Sequence, residues 1–173
     1  GGASGLVAAA EFVRLSSANE QADFDVSISI VLASLIGWVT VSGSVIAFSK
    51  LQELMTGRAI TFVMQKPINL VLFLLIIGLG SYLVWGEFSL PVFYALIAIS
   101  LLLGVLLVLP IGGADMPVVI SLLNSYSGLA AATAGFVLRN PALIIGGTLV
   151  AAAGLILTQI MCKAMNRSIF NVM

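Results

Sequence analysis

From residue 26 to residue 49 the chain carries no Asp, Glu, Lys, Arg or His. A helix rises about 1.5 Å per residue, so about 20 apolar residues cross roughly 30 Å of hydrocarbon, and this run is long enough. Four more runs follow at 68–86, 90–109, 117–138 and 142–163, with Lys163 at the very edge of the last. The connections between them are too short to hold a soluble domain. A chain of 173 residues with 61% apolar and only 8% charged side chains could not cover a water-soluble surface. The solvent is therefore a bilayer, and the lipid bilayer is the first partner.

Open β-sheet would leave backbone groups unpaired in lipid, and no alternating barrel pattern is present, so the runs are helices. Pro91, Pro117 and Pro141 stand at or near the expected N-terminal ends, where a missing N–H does no harm. The opening GGASGLVAAAEFV is small and apolar but has no basic segment before it and no cleavage site, so it is not read as a signal peptide. It reads as the end of a further helix. The expected fold class is thus an all-α integral membrane protein, with about five transmembrane helices plus the end of a further N-terminal helix. Residues 1–173 form a single membrane domain in this reading, a fragment of something longer.

Net charge is zero, which gives no reason to expect nucleic acid. Alternating the spans puts Lys50, Arg58, Lys66, Lys163 and Arg167 on one side and leaves Arg14 and Arg139 on the other. The positive-inside rule makes the first side cytoplasmic, or the matrix side in a mitochondrion, and it holds Asp115 and the C-terminus. A single cysteine, Cys162, excludes an internal disulfide, and the absence of His removes the commonest metal ligand, so no metal site is expected. No phosphate-cradling loop, carboxylate pair or nucleophile pair marks a soluble enzyme. PIGGADMP at 110–117 is a turn between membrane helices.

Between the run ends nothing can store a proton as a charge, which counts against proton transport by these residues alone. What remains is polar and hard to titrate. The 117–138 run offers Ser121, Asn124, Ser125, Tyr126, Ser127 and Thr133, and the 26–49 run offers Ser34, Thr40, Ser42, Ser44 and Ser49. Hydroxyls in membrane helices mostly bond back to their own backbone or fill tight contacts. Asn124 is different, because a primary amide in mid-span must find partners or face water, so interhelical glue and a water path both stand open. The spacing of Asn124, Gly128, Ala131 and Gly135 predicts a small-residue seam, and Gly147, Ala151, Gly154 and Thr158 repeat it in the last run.

GGADMPVVISLLNSYSG followed by AGF, then IMCKAMNRS at 160–168, closely resemble the membrane domain of the proton-translocating nicotinamide nucleotide transhydrogenases, just ahead of the NADP(H)-binding domain. SGSVIAFSKL at 42–51 is similar to an earlier helix of that family, and the resemblance covers the chain from about residue 26 onward. Its members transfer hydride between NAD(H) and NADP(H) in soluble domains and couple it to proton movement through the membrane. The resemblance implies that this chain moves protons and binds neither NAD(H) nor NADP(H) itself. It assigns Asn124 to the proton path, Asp115 to the inner mouth, and Arg167 with Ser168 to the junction leading to the NADP(H) domain. Ser127 and Ser44, in the same two motifs, are further candidates for path and coupling. A switchable contact between Asp115 and Arg167 is the expected sensor of the NADP(H) domain.

The resemblance also implies partners: other transhydrogenase membrane helices or subunits, the soluble nucleotide-binding domains, and a second copy in a homodimer of the complete enzyme. The implied location is the bacterial cytoplasmic membrane, with the mitochondrial inner membrane as the alternative. Leu129 stands where the family commonly has Trp, and Ala152, Ala153 and Gly154 where it commonly has Ser-Ser-Gly. The family's membrane histidine is on a helix before this chain or on a partner polypeptide. A non-catalytic membrane scaffold or transporter subunit is the competing class, in which Asn124 is only glue.

Overall fold

The computed structural model describes residues 1–18, 23–86 and 89–166. Over these residues the chain forms α1 (Gly2–Ala18), α2 (Phe24–Leu51), α3 (Gln65–Trp85), α4 (Leu90–Val108), a 3-10 turn (Gly113–Asp115), α5 (Met116–Val137) and α6 (Pro141–Ala164), with no strand among the described residues. The five helices α2 to α6 are long and apolar enough to cross a membrane. α1, at 17 residues, rises only about 26 Å and falls short. Each expected run lies within three residues of its helix, the largest difference being α3, which begins at Gln65 rather than 68. Pro67 is tolerated there because the first turn of a helix has no intrahelical use for its N–H groups.

α2 and α5 form the centre of the bundle, each with 56% of its apolar window buried, whereas α3 and α6 bury 17% and 22% and lie at its edge. α2 touches α1, α3, α4 and α5, and α5 packs most extensively on α6. Near the start of α2 the core closes around Phe12, Ile30, Leu83, Phe93 and Leu96. Phe12 and Phe93 stack there with ring centroids 4.0 Å apart. At the opposite end Ala47, Val108, Ile111, Met116, Val119 and Cys162 form a second core.

The α5–α6 hairpin follows from its turn chemistry. Arg139 takes the left-handed conformation at φ 51°, and Asn140 N donates to Gly135 O at 2.8 Å while Arg139 N donates to Phe136 O at 3.2 Å. This double bond pattern terminates α5. Asn140 then accepts Leu143 N on its side-chain oxygen at 3.2 Å, and Pro141 begins α6. Arg139 also lies 3.6 Å from Asp23, so the α5–α6 turn and the start of α2 share one end of the bundle. Lys50, which bonds to the α4–α5 turn, belongs to the other end.

Close approach of α5 and α6 requires glycine. A methyl at Gly128 would sit 2.8 Å from Gly147 O, and one at Gly147 would sit 2.7 Å from Gly128 O, so neither helix admits a side chain there. The α6 seam is the expected one: Gly147, Ala151, Gly154 and Thr158 are all buried. The α5 seam is not. It runs through Ser121, Ser125, Gly128, Ala132 and Gly135, all buried, while Asn124 is exposed and Ala131 half-buried. Each residue advances a helix by about 100°, so Asn124 lies a full step from Ser125 and off the contact line.

Candidate functional site

Three groups of polar side chains stand out on α2, α5 and α6, apart from Ser34 Oγ, which is buried with no hydrogen-bond partner among the described residues. Thr40 donates to Gly37 O, Ser42 to Trp38 O and Val39 O, Ser49 to Val45 O, Thr133 to Leu129 O and Ala130 O, and Thr158 to Gly154 O. These bonds stay within one helix, as expected for hydroxyls in lipid. Ser121 and Ser125 cross instead to α6, donating to Gly154 O at 3.1 Å and Ala151 O at 2.7 Å. The glue between α5 and α6 is therefore made by serines.

Ser44, Asn124 and Ser127 form the third group. They line one groove of about 380 Å³ between α2 and α5, with Ala47, Phe48, Leu51, Ile120 and Leu123 completing its wall. Ser44 and Asn124 are exposed and Ser127 half-buried. Among the described residues these three side chains have no hydrogen-bond partner within the chain, in contrast to Ser121 and Ser125. The groove thus presents an amide and two hydroxyls at membrane depth, where they must meet water or another polar helix. A neighbouring cavity of about 30 Å³, walled by Val39, Leu107, Val119, Leu122 and Tyr126 among others, is almost wholly apolar. It lacks the polar partners an ordered water needs, whereas the groove has three polar side chains in its wall.

Asp115 is elsewhere. It is buried, 9% exposed, at the position preceding α5, and its N–H donates to Gly112 O at 3.0 Å. Nine residues separate it from Asn124, about 14 Å along the helix axis. It therefore occupies the lysine-bearing end below the groove rather than the groove itself. Arg167 and Ser168 lie outside the described residues, and so does the expected Asp115–Arg167 contact. Among the described residues no cluster of His, Cys, Asp or Glu could hold a metal.

Ala152 and Ala153 are exposed on α6, turned away from the α5 contact. α6 supplies no wall residue to the groove, so the missing hydroxyls at these positions cost it nothing. Sequence reading counted Lys50 only as a charge marking one side of the bilayer. In the fold it is 3% exposed and bonds to two carbonyls of the α4–α5 turn. Its place at the end of an apolar run, ahead of a proline-broken turn at Pro110, is the one sequence signal that could have pointed to such a role.

The whole chain, residues 1–173, matches the family model of the NAD(P) transhydrogenase beta subunit. The chain belongs to this family. Two curated relatives, both named NAD(P) transhydrogenase subunit beta and both from Rhodospirillum rubrum, one of them from a defined strain, are each 52% identical over 145 residues. That alignment covers 84% of this chain and 31% of each relative, so the chain spans about a third of the length of the subunits it matches.

Proposed function

We propose that this chain is the proton-moving membrane portion of an NAD(P) transhydrogenase, coupling proton passage to hydride transfer between NAD(H) and NADP(H) in soluble domains beyond residues 1–173. The observation that carries this reading is the exposed Asn124 amide, facing Ser44 and Ser127 in a groove of a chain from this family. An amide and two hydroxyls can orient water and relay hydrogen bonds, but none can hold a proton as a charged intermediate near neutral pH. The titrating group therefore comes from another segment or subunit seated along the groove. Asp115, buried at the lysine-bearing end, is the proposed inner mouth of the path, and Arg167, which lies outside the described residues, is proposed for the junction with the NADP(H) domain.

The lysine-bearing end faces the cytoplasm of a bacterium, since basic residues are retained on that side. The complete enzyme is a homodimer in the cytoplasmic membrane. The decisive experiment replaces Asn124 with Leu in the complete enzyme. Proton pumping and the gradient-driven reverse reaction should fall together by about tenfold or more, the scale set by losing about 1.4 kcal/mol or more of barrier stabilisation, while nucleotide binding by the soluble domains persists. Pumping near the native level, with only thermal stability reduced, would make Asn124 a packing residue and remove the proposal.

A further inference from the structure

α4 ends in a way that needs help. Its last residue is Val108, and the next donor needed by Leu106 O would be the N–H of residue 110, which is proline. Leu109 and Ile111 carbonyls lie beyond the helix in the turn toward α5. Buried carbonyls left unpaired are costly, and the C-terminal end of a helix favours a cation.

Three segments bond to this end of α4 and the turn after it. Gln65 Nε2, from the start of α3, donates to Leu106 O at 3.0 Å. Lys50 Nζ, from the end of α2, donates to Leu109 O and, at 2.8 Å, to Ile111 O. The connection between α2 and α3 adds two backbone bonds, Ile60 N to Leu109 O at 3.2 Å and Gly113 N to Gly57 O at 2.8 Å. Lys50 and Gln65 are 3% and 7% exposed, so both side chains work inside the protein rather than in water.

This junction adjoins the groove along both of the helices that wall it. Lys50 is six residues from Ser44 on α2, and Leu51, its neighbour, is in the groove wall. Ile111 is four residues before Asp115, and α5, which carries Asn124 and Ser127, starts at Met116. A single ammonium thus links the helix bearing one side of the groove to the turn that launches the helix bearing the other.

We infer that Lys50 is a positioning residue: its ammonium holds the α4–α5 turn against the end of α2 and so sets the width of the Ser44–Asn124–Ser127 groove, an inference whose functional part rests on the proton-moving reading above. Methionine, of similar length, cannot do this, since its thioether offers the two carbonyls no donor. Arginine can in part, because its guanidinium keeps the charge and presents several donors in a fork.

The test uses the complete enzyme in its membrane, with Ile120→Cys as a reporter in the groove wall and Cys162→Ala to remove the native thiol. Labelling by a water-soluble maleimide is read at the reporter peptide by mass, beside protons pumped per hydride transferred. Lys50→Met should raise the labelling rate by about tenfold, the scale of one lost hydrogen bond to a charged group, and lower the proton-to-hydride ratio. Lys50→Arg should return both toward native values, a rescue that a purely space-filling lysine would not give. If Lys50→Met does not accumulate, Lys50→Leu, which likewise has no donor, is read in the same way. Native labelling in a folded Lys50→Met or Lys50→Leu enzyme overturns the inference, whatever happens to pumping. Raised labelling with an unchanged proton-to-hydride ratio supports the clamp and counts against the groove as the proton route.

Discussion

An amide or hydroxyl in hydrocarbon must bond within the protein or meet water, and α5 uses its polar side chains both ways. Ser121 and Ser125 are turned to α6 and bonded to its carbonyls, whereas Asn124, one step of about 100° around the helix from Ser125, faces the groove. The two roles predict opposite signatures. Ser125→Ala should lower the thermal stability of the complete subunit by about 0.6–2 kcal/mol, the range for an interhelical bond in a membrane, and leave pumping close to native. Asn124→Ala should do the reverse, with little loss of stability and a large loss of pumping. Thermal unfolding in detergent, paired with pumping in vesicles, separates them. Equal loss of stability in the two variants would mean that Asn124 also holds helices together.

The α5–α6 pair is held by shape more than by any single bond. Gly128 and Gly147 let the two backbones touch, and each is the other's near neighbour. Gly146, one residue away, meets nothing within 4 Å of its added methyl. Gly147→Ala should therefore destabilise the hairpin by about 1–3 kcal/mol, the cost of overpacking against atoms that cannot yield. Gly146→Ala should leave the protein as stable as the native one or more stable, by up to about 1 kcal/mol. The comparison removes helix propensity as an explanation, because both changes improve it equally. A matched loss in both variants, measured by thermal unfolding, would show that the contact is not what the glycine protects.

At the scale of the molecule, the two central helices alone wall the polar groove, and the other four helices of the described residues pack around that pair. None of the five spans holds an Asp, Glu or Arg deep in the bilayer, and Lys50 and Lys163 belong to the helix ends. A water path with no titrating group cannot select protons as a charged relay. The chain reconstituted alone in liposomes should therefore show no selective proton flux above that of empty vesicles, read with an entrapped pH-sensitive dye under an imposed gradient. Robust flux would mean that the groove conducts through water alone and that no partner segment is needed to complete it.

How many helices cross the membrane, where they begin and which end carries the lysines were legible in the sequence, because the cost of charge and unpaired backbone in lipid acts on each run separately. The motif GGADMPVVISLLNSYSG likewise brought Asn124 and Asp115 forward as candidates before any fold was known. Rotation about each helix axis was not legible. Asn124 and Ser125 are neighbours in the chain, and nearly every α5 position is small or apolar, so periodicity could not say which of the two meets α6. Contact with the α6 glycines decided it, and moved the seam from Asn124 to Ser125. The role of Lys50 was hidden for a related reason: its partners are backbone carbonyls 59 and 61 residues away, which have no side-chain signature, and only the packing of α2 against the end of α4 brings them within reach.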